Sequence, residues 1–592
     1  MRTVLSFLTL ALTIVADAAA IWPDYANITM PPNIAPLNFA VEGGDGVYFV
    51  AADGDRLEAK VRGGVARWNG GEWKKFLGRH RGEDVVLTAG DLVATNRIAE
   101  TDIDPVLTYR LIPPSYTGFS ELGIYERDLT SFDERPLYRN SQSQLKQCVN
   151  CHTFNAADPD EYLFHVRAYE GGTVIVSKKY GERKVDLKRD GAIGGGVYPA
   201  WHPGGDFIAF SQNETRQLFY REHRDKIEVI DLRSDLALYD LAKDELLPIE
   251  NSYEVFETFP TWSPDGTKLY SCRARTGFGG TMPTNELDRA ELISANYTNL
   301  FYDLVVRDFD AATRSFSAPR MMVDGKFSRR SVTLPRVSRD GRWLVMTVGP
   351  YGQFHIWHRE ADLWEIDLEK NSLRPLVELN SADVESYHTF SSDGKWFVFS
   401  SRRDDGSRTR PYFAAFDPAT GRFSKPFIIP VRDPDEHRER IFSYNIPEFA
   451  TGKVKRTEQV TRRLVATGSS NLRDSVYFYP HIVSYAVSYL VLIVTAFGVF
   501  RKAGPWGFAL MTVGLATGSL WAKESWGAFW QWDPKECAAL ATWLVFLVRF
   551  TVFRRSPVAK YLHWAGVALI VFTATVVNFS RHFAGLHSYV AP

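Results

Sequence analysis

Five residues near position 150 have the composition and spacing of a cofactor attachment site, the run Cys-Val-Asn-Cys-His at positions 148–152. Two such thiols can form thioether bonds with the vinyl groups of a haem, and the adjacent imidazole can bind its iron. The sequence therefore predicts a covalent haem c on Cys148 and Cys151, with His152 as the proximal ligand. A redox disulfide between the two thiols is the alternative. A structural zinc site is disfavoured because no second cysteine pair completes four ligands.

The sequence does not identify the second iron ligand of this haem. His165 follows the motif closely, and His202 lies in a predicted turn further along the chain. Both are candidate ligands, but a histidine in such a turn can equally be a packing residue.

A second group of residues that could form a functional site lies near the C-terminus. Four tryptophans and a phenylalanine occur there within twelve residues: Trp521, Trp526, Phe529, Trp530 and Trp532. An aromatic belt at a membrane surface is one explanation. The run Trp-Asp-Pro-Lys-Glu at 532–536, together with His481 and His587 near the ends of flanking apolar segments, argues against a belt alone.

Four apolar segments position this second group, at 481–500, 506–521, 537–553 and 562–579. Basic residues at 501–502 and 554–560 place those two connections in the cytoplasm by the positive-inside rule. The first twenty residues read as a signal peptide, with an uncleaved anchor as the alternative. The region between them then enters the first span from outside, so the sequence predicts a multi-pass protein of the bacterial inner membrane with a large periplasmic part.

Composition excludes other classes of function. The 592-residue chain carries 69 Lys and Arg against 70 Asp and Glu, so no basic field attracts nucleic acid. Four cysteines are too few for a disulfide framework. We found no nucleophile elbow or assembled acid–base set, so the enzyme question stays open, with a haem-lyase-like assembly factor as the strongest form of activity.

The long middle region repeats a turn followed by an apolar strand. Its four copies are Trp-His-Pro-Gly-Gly at 201–205, Trp-Ser-Pro-Asp-Gly at 262–266, Val-Ser-Arg-Asp-Gly at 337–341 and Phe-Ser-Ser-Asp-Gly at 390–394. Such repeats are typical of propeller blades joined by hairpin turns. They resemble the TolB-like propeller repeat, over about half of the chain.

The predicted fold is a mostly β periplasmic region followed by an all-α membrane module of about four helices. The predicted segments are a signal peptide (1–20), a β-rich domain (21–136), a haem attachment segment (137–170), a TolB-like propeller (171–449), a linker (450–480) and the membrane module (481–592).

The membrane module resembles the WWD motif of the CcsA-type cytochrome c assembly family, whose members present haem to apocytochromes outside the membrane. The match includes 526–527, 530, 532–536 and 542–543, the segment 481–486 and the terminal run 585–589. The resemblance implies a non-covalent haem b with His481 and His587 as axial ligands and Trp526, Trp530, Trp532 and Asp533 around the ring. It also implies apocytochrome c and a second assembly subunit as partners.

Two features depart from that family. Its intramembrane histidine is replaced by Thr551, for which His563 is a possible substitute, and His582 competes with His587 for the ligand role. Three functions therefore stay open: a cytochrome c assembly factor, a membrane-anchored c-type cytochrome for electron transfer, and a propeller scaffold in a respiratory complex.

Overall fold

The computed structural model describes residues 21–42, 46–113, 121–142, 148–167, 171–189, 192–220, 227–276, 278, 282–283, 285–454, 476–526, 529–530, 532 and 534–577. Within them the chain is mostly β up to residue 450 and helical after residue 476. The predicted signal peptide lies outside the described residues.

In the described residues up to 98, nine short strands pair in two sheets around helix α1 (Gly70–Arg79). Asn69 caps this helix, since its side-chain oxygen accepts hydrogen bonds from the backbone of Gly71 and Glu72 at 3.0 and 3.2 Å. Trp73 and Phe76 on one helix face are buried in a core shared with the propeller. The strands are β1 (Ile21–Trp22), β2 (Thr29–Met30), β3 (Phe39–Val41), β4 (Val47–Ala51), β5 (Arg56–Glu58), β6 (Lys60–Arg62), β7 (Val65–Arg67), β8 (Asp84–Ala89) and β9 (Leu92–Ile98).

Six antiparallel sheets follow, which we number as blades 1 to 6. Blade 1 contains β10 (Val106–Ile112), β11 (Gly123–Asp128), β12 (Glu134–Arg139) and β35 (Ser443–Ala450); blade 2 contains β13 (Cys148–Phe154), β14 (Tyr162–Arg167), β15 (Gly172–Ser177) and β16 (Gly181–Val185); blade 3 contains β17 (Gly196–Trp201), β18 (Phe207–Phe219), β19 (Ile227–Asp240) and β20 (Glu245–Pro248). Blade 4 contains β21 (Val255–Trp262), β22 (Lys268–Arg275), β23 (Asp303–Asp310), β24 (Ser315–Phe316) and β25 (Arg320–Val323); blade 5 contains β26 (Ser331–Val337), β27 (Trp343–Gly349), β28 (Asp362–Asp367) and β29 (Ser372–Pro375); blade 6 contains β30 (Glu385–Phe390), β31 (Trp396–Ser401), β32 (Arg410–Asp417), β33 (Arg422–Phe423) and β34 (Phe427–Ile428).

The blades close into a ring. Each has one strand at its inner edge, and these inner strands contact one another in the order β35, β13, β17, β21, β26, β30 and back to β35. Blade 1 combines three strands from the start of the propeller with its inner strand from the end, so the last strand closes the ring. The described residues therefore form a six-bladed propeller, and the predicted propeller architecture is confirmed.

The four predicted turns connect the first and second strands of blades 3 to 6. In blade 4 the Gly266 backbone donates to the Ser263 carbonyl at 2.9 Å, and Gly266 has a φ of 72° that favours glycine. The Ser263 hydroxyl accepts from the Lys268 backbone at 3.0 Å and fixes the start of the next strand. Blades 5 and 6 repeat both contacts around Gly341 and Gly394.

Strand pairing divides the chain differently from the predicted segments. The first blade begins at Val106, so a boundary at residue 136 cuts through β12. The proposed attachment segment 137–170 contains the two inner strands of blade 2. The reason is the circular closure, which a linear reading of repeats does not reveal.

The described part of the membrane module contains four helices, α5 (Phe478–Ala496), α6 (Gly504–Trp526), α7 (Pro534–Phe550) and α8 (Ala559–Phe572). Shorter helical segments in the chain are α2 (Glu286–Asn296), α3 (Gly325–Ser328), α4 (Glu436–Glu439), the 3-10 turns Asn140–Gln142, Tyr297–Asn299, His355–Trp357 and Arg501–Ala503, and the π-helix Thr573–Val577. Leu492, Met511, Phe546 and Val567 come from the four different helices and share one core. Two segments, Phe478–Ala496 and Ala559–Val576, are long and apolar enough to cross a membrane, where the sequence predicts about four spans.

Candidate haem sites

The C-x-x-C-H motif lies on β13, the inner strand of blade 2. Cys148 is half-buried, whereas Cys151 and His152 are buried. The pairing of β13 with β14 shifts register between Asn150 and Thr153, so Cys151 and His152 form a β-bulge. Cys151 adopts a left-handed φ of 47°. The side chains of the motif therefore do not follow the regular alternation of a strand.

The same bulge recurs in every blade. One residue with positive φ interrupts the register of each inner strand: Cys151, Tyr198, Phe259, Leu334, Tyr387 and Ile446. The next residue is a proline in four blades, Pro199, Pro260, Pro335 and Pro447, and a histidine in blades 2 and 6, His152 and His388. His152 therefore occupies a position that the propeller fold itself creates.

The six bulge residues, which we call the axial cluster, converge at the centre of the ring. The rings of Tyr198 and Phe259 are 4.3 Å apart. Members from blades 1, 3, 4, 5 and 6 pack in one hydrophobic cluster. Cys151 lies close to its aromatic members, since burial raises the pKa of Tyr387 and the Cys151 thiol adds to this rise. Cys151, at the equivalent bulge position of the inner strand of blade 2, therefore lies near this cluster.

His152 has a different environment, between blades 1 and 2. Its ring lies 6.3 Å from that of Phe154, which belongs to the hydrophobic core of this seam. Burial lowers the pKa of His152 to about 3, with a smaller contribution from Arg110 on β10. The Thr108 backbone approaches the ring and acts in the opposite direction, yet neither ring nitrogen makes a hydrogen bond. A buried imidazole without partners costs about 1–3 kcal/mol for each unpaired group.

The donor set fits a covalent haem in its chemistry. Cys148 and Cys151 are free thiols, and the His152 nitrogens are available for a metal. The Cys148 sulfur accepts a weak hydrogen bond from the Arg110 guanidinium at 3.5 Å. The closed ring, however, places Cys151 near the hydrophobic cluster at the axis and His152 in the seam, so the three groups do not face one porphyrin in this conformation.

The two candidate second ligands do not lie with His152. The His165 ring packs against Phe210 at 5.9 Å, on the face of blade 2 that meets blade 3, and its Nδ1 pairs with the Thr173 hydroxyl at 2.8 Å. His152 on β13 packs toward blade 1, whereas His165 on the paired strand β14 packs toward blade 3. The two histidines are therefore on opposite faces of blade 2.

His202 is held by the blade turn. Its Nε2 donates to the Gly266 carbonyl at 3.2 Å, and its Nδ1 accepts from the Gly204 backbone at 3.1 Å. The ring meets Trp262 edge-on at 4.9 Å. Both nitrogens have structural partners, which is the packing role that the sequence left open as the alternative.

The second candidate site is at one end of the helix bundle. His481 lies in the first turn of α5, and its Nδ1 donates to the Gly514 carbonyl of α6 at 2.9 Å. Its ring stacks on Trp521 with centroids 5.7 Å apart and an interplanar angle of 22°. In the neutral imidazole this bond places the proton on Nδ1 and the lone pair on Nε2. Histidines that bind metals are oriented by such bonds to backbone carbonyls.

Glycines of α6 allow this close approach. A Cβ atom at Gly518 would lie 2.5 Å from Nδ1 of His481, and one at Gly514 would lie 2.8 Å from the Tyr485 ring. The run from 514 to 518 has the small-xxx-small spacing of tightly packed membrane helices. Gly514 and Gly518 were not among the predicted site residues, although their spacing is readable in the sequence, and Trp521 was named in the aromatic group without a role at the ring.

The aromatic loop begins where α6 ends. Trp530 and Trp532 meet edge-on with centroids 6.2 Å apart, and Trp532 is 72% exposed. The indole nitrogen of Trp530 is buried and makes no hydrogen bond. Trp526 is the last residue of α6. Asp533, His582 and His587, also predicted as site or competing residues, lie outside the described residues.

The opposite end of the bundle contains His563, which is buried, whereas His481 is half-buried. The Nε2 of His563 donates to the Leu492 carbonyl at 2.9 Å, and its ring contacts Phe546 edge-on. Thr551, at the position where the sequence suggested a missing histidine, uses its hydroxyl to donate to the Leu547 carbonyl at 2.6 Å. Leu492 is eleven residues beyond His481 on α5, so the two histidines are at different depths.

The described residues combine a six-bladed propeller with an apolar helix bundle. In the bundle, the Gly514 carbonyl and the Trp521 ring hold His481 in one orientation. Residues 490–584 match the family described as Cytochrome C assembly protein. The C-terminal region therefore carries a cytochrome c assembly domain.

The chain is also similar to individual known proteins. Cytochrome c biogenesis protein CcsA of Crocosphaera subtropica is 34% identical over 137 residues, which cover 21% of this chain and 37% of that protein. The protein of the same name from Guillardia theta is 42% identical over 94 residues, covering 15% and 30%. The chain thus spans about a third of the length of these relatives. Among solved structures, TolB from Acinetobacter baumannii is 12% identical with a TM-score of 0.35, covering 62% of this chain and 79% of that chain.

Proposed function

We propose that this protein holds haem at the outer face of a bacterial inner membrane and presents it for thioether attachment to apocytochromes c. The observation that carries the proposal is His481, whose Nδ1 is fixed by the Gly514 carbonyl and whose ring is stacked on Trp521. An imidazole held in this way presents Nε2 as a metal ligand.

The haem at this site would be a non-covalent haem b. His481 would provide one axial ligand, and the sequence resemblance assigns the other to His587. Trp530 and Trp532 provide aromatic surface beside the ring, with Trp526 and Asp533 assigned to the same role by sequence. The haem supplies a redox-active iron and two vinyl groups; the protein contributes binding, orientation and exclusion of water.

Location follows from the charges around the helices. Basic connections at 501–502 and 554–560 favour the cytoplasm, so the end of the bundle with His481 faces the periplasm together with the propeller. The outward side chains of the helices are apolar, for example Leu490 at 64% and Trp506 at 75% exposed, as expected for contact with lipid. The propeller would recruit an apocytochrome or a second assembly subunit.

The test is a haem count on the purified full-length protein. We expect His481→Gln to lose most of the extractable haem measured as pyridine haemochrome. His563→Gln is the matched control, because this buried histidine is at the other end of the bundle and its Nε2 is used in a helix contact. Full haem content in both His481→Gln and His587→Gln would contradict the proposal. Loss in His563→Gln alone would move the site to the opposite end.

A second candidate function is electron transfer by a membrane-anchored c-type cytochrome. The unpartnered nitrogens of His152 and the two free thiols favour it, because they are the donor set of a covalent haem c. This function predicts a haem that survives denaturing electrophoresis and disappears in Cys148→Ser/Cys151→Ser. It also predicts reversible redox spectra that persist in His481→Gln.

A further inference from the structure

A cavity of about 490 Å³ opens beside blade 5, on the side of the ring where the inner strands begin. Its lining comes from the residue before β26, the end of β27, the start of β28 and the segment before β30: Arg330, Val348, Arg359, Glu360, Asp362, Trp364, Ser381 and Ala382. Pockets that bind small molecules have volumes of about 300–1,000 Å³. The described lining includes none of the candidate haem ligands, so the cavity is a separate candidate site.

The carboxylate of Asp362 is the most unusual group in this lining. Asp362 is half-buried on β28, and burial raises its pKa to about 6, with a further rise from Glu385 and an opposing effect of Arg330. Among the residues that the structure describes, none donates a hydrogen bond to this carboxylate. Because a carboxylate withdrawn from water normally has donors in the protein, Asp362 has capacity for a donor on a ligand.

Glu385 shows how the same fold satisfies a carboxylate that has only a structural role. Glu385 lies on β30 and is fully buried. It accepts hydrogen bonds from the hydroxyls of Ser381 and Ser401 at 2.6 and 2.8 Å and from the Arg403 guanidinium at 3.0 Å. The lack of donors at Asp362 is therefore a local property of the cavity and not of this region of the propeller.

Two guanidinium groups supply the opposite charge. Arg330 and Arg359 both line the cavity and are exposed. The Nε of Arg359 donates to the Ala382 carbonyl at 2.8 Å, which holds this guanidinium at the cavity. Its terminal nitrogens have no acceptor among the described residues. A guanidinium with free terminal nitrogens can bind a carboxylate through two parallel hydrogen bonds.

The charges of the lining balance. Arg330 and Arg359 are positive, whereas Glu360 and Asp362 are negative. A simple anion would be repelled by the two carboxylates, and a simple cation would be repelled by the two guanidinium groups. A ligand that carries both charges, a few bonds apart, can satisfy both. Trp364 adds an indole ring to the same lining, and an ammonium group is attracted to the face of such a ring.

We propose that this cavity binds a small zwitterion of the amino acid class, with its ammonium group at Asp362 and its carboxylate at Arg359 and Arg330. Trp364 and Val348 provide the apolar surface for the carbon atoms between the two charges. The proposal is independent of haem, because it uses none of the residues assigned to either haem site.

The test is isothermal titration calorimetry on the full-length protein in detergent. The probes are the twenty amino acids, each added alone, with n-butylamine and butyrate as ligands that carry only one of the two charges. We expect saturable binding of at least one amino acid, about tenfold or more tighter than binding of either single-charge probe. If n-butylamine binds as tightly as every amino acid, or if no amino acid binds, the proposal is wrong.

Two variants assign the binding to this cavity. Asp362→Asn and Arg359→Gln should each weaken binding of that amino acid by about tenfold or more. The matched controls are Asp91→Asn, in an exposed turn of the N-terminal domain, and Arg320→Gln, an exposed residue of β25; both should bind as the wild type does. The unfolding temperature of each variant shows whether it is folded, and either cavity variant is sufficient if the other is not. Unchanged affinity in a folded cavity variant would overturn the proposal.

The pH dependence gives a readout that general damage to the fold would not reproduce. With a pKa of about 6, the Asp362 carboxyl is mostly ionised at pH 7 and only about 10% ionised at pH 5. The amino acid keeps both charges between these values, so its affinity should be about tenfold lower at pH 5. The other charged groups near Asp362 are Arg330, Arg359, Glu360 and Glu385. Asp362→Asn should remove this pH dependence; if the dependence persists, another group causes it and the ammonium is not held by Asp362.

Discussion

Blades 2 and 6 place a histidine at the same point of the inner strand, directly after a left-handed residue, yet they use it differently. In blade 6 the Nε2 of His388 donates to the Val345 carbonyl of the preceding blade. In blade 2 the ring of His152 approaches the corresponding backbone at Thr108 without making a hydrogen bond. The same backbone geometry therefore supports a histidine that bonds to the neighbouring blade in one case and a histidine without such a bond in the other.

The difference shows how a site can be placed in a repeated fold. Four blades fill the position with proline, which needs no partner, so the propeller does not depend on a histidine there. A histidine at this point is either satisfied by the neighbouring blade or available to something else. His152 has no hydrogen-bond partner of this kind in the neighbouring blade.

The largest expected difference in the free energy of unfolding is between two bulge residues, Tyr387 in blade 6 and Cys151 in blade 2. Tyr387→Ala should cost about 3–5 kcal/mol, because a buried aromatic ring is removed from the axial cluster. Cys151→Ala should cost about 1 kcal/mol, since only a sulfur atom is lost. Both values would come from urea unfolding of the full-length haem-free protein, followed by tryptophan fluorescence. Equal costs would mean that Cys151 contributes to the cluster as much as tyrosine does, which would weaken its assignment as an attachment thiol.

A second contrast concerns the carboxylate that closes the seam of blade 2. Burial raises the pKa of Glu448 to about 7, against the opposing charges of Arg336 and Arg339 and bonds from Thr153 and Phe154. Because the folded state then binds more protons than the unfolded state between about pH 4.5 and 7, stability falls as pH rises through this window. The loss is about 3 kcal/mol for a shift of this size.

Glu448→Gln isolates this effect from other titrating groups. We expect the variant to match the wild type near pH 5 and to become the more stable protein above pH 7, in urea unfolding at several pH values. If the difference in the free energy of unfolding between the two proteins does not change with pH, the pKa of Glu448 is the same in the folded and unfolded states. The seam would then be no weaker at high pH.

The sequence predicted the turns and the motif but not their arrangement. The Asp-Gly turns at 265–266, 340–341 and 393–394 are readable because positive φ at their glycines is a local requirement. Blades 1 and 2 lack this turn, and the inner strand of blade 1 comes from residues 443–450, so four of the six blades were visible. The left-handed bulge at Cys151 carries no local signal, because its conformation is imposed by strands of neighbouring blades.

The candidate site around His481 likewise has features that the sequence predicted and a feature that only the structure reveals. The positions of His481 and the tryptophans were predicted from residue types and resemblance. The orientation of His481 depends on the backbone of Gly514, a contact between helices that helical periodicity does not specify. The small-xxx-small spacing at 514–518, from which no prediction was made, is the one local feature typical of such a close approach.

The smallest expected effect comes from replacing His152 and His388 by proline, the residue at this position in the other four blades. His388→Pro should cost about 1–2 kcal/mol, because the Val345 carbonyl loses its donor in a buried site. His152→Pro should change stability by about 0.5 kcal/mol or less in the haem-free protein, because the packing lost with the ring is offset by removal of two buried nitrogens without partners. The measurement is urea unfolding of both variants at pH 7. Similar costs would show that His152 has a partner equivalent to that of His388, and blade 2 would then be an ordinary blade whose histidine is satisfied by Thr108.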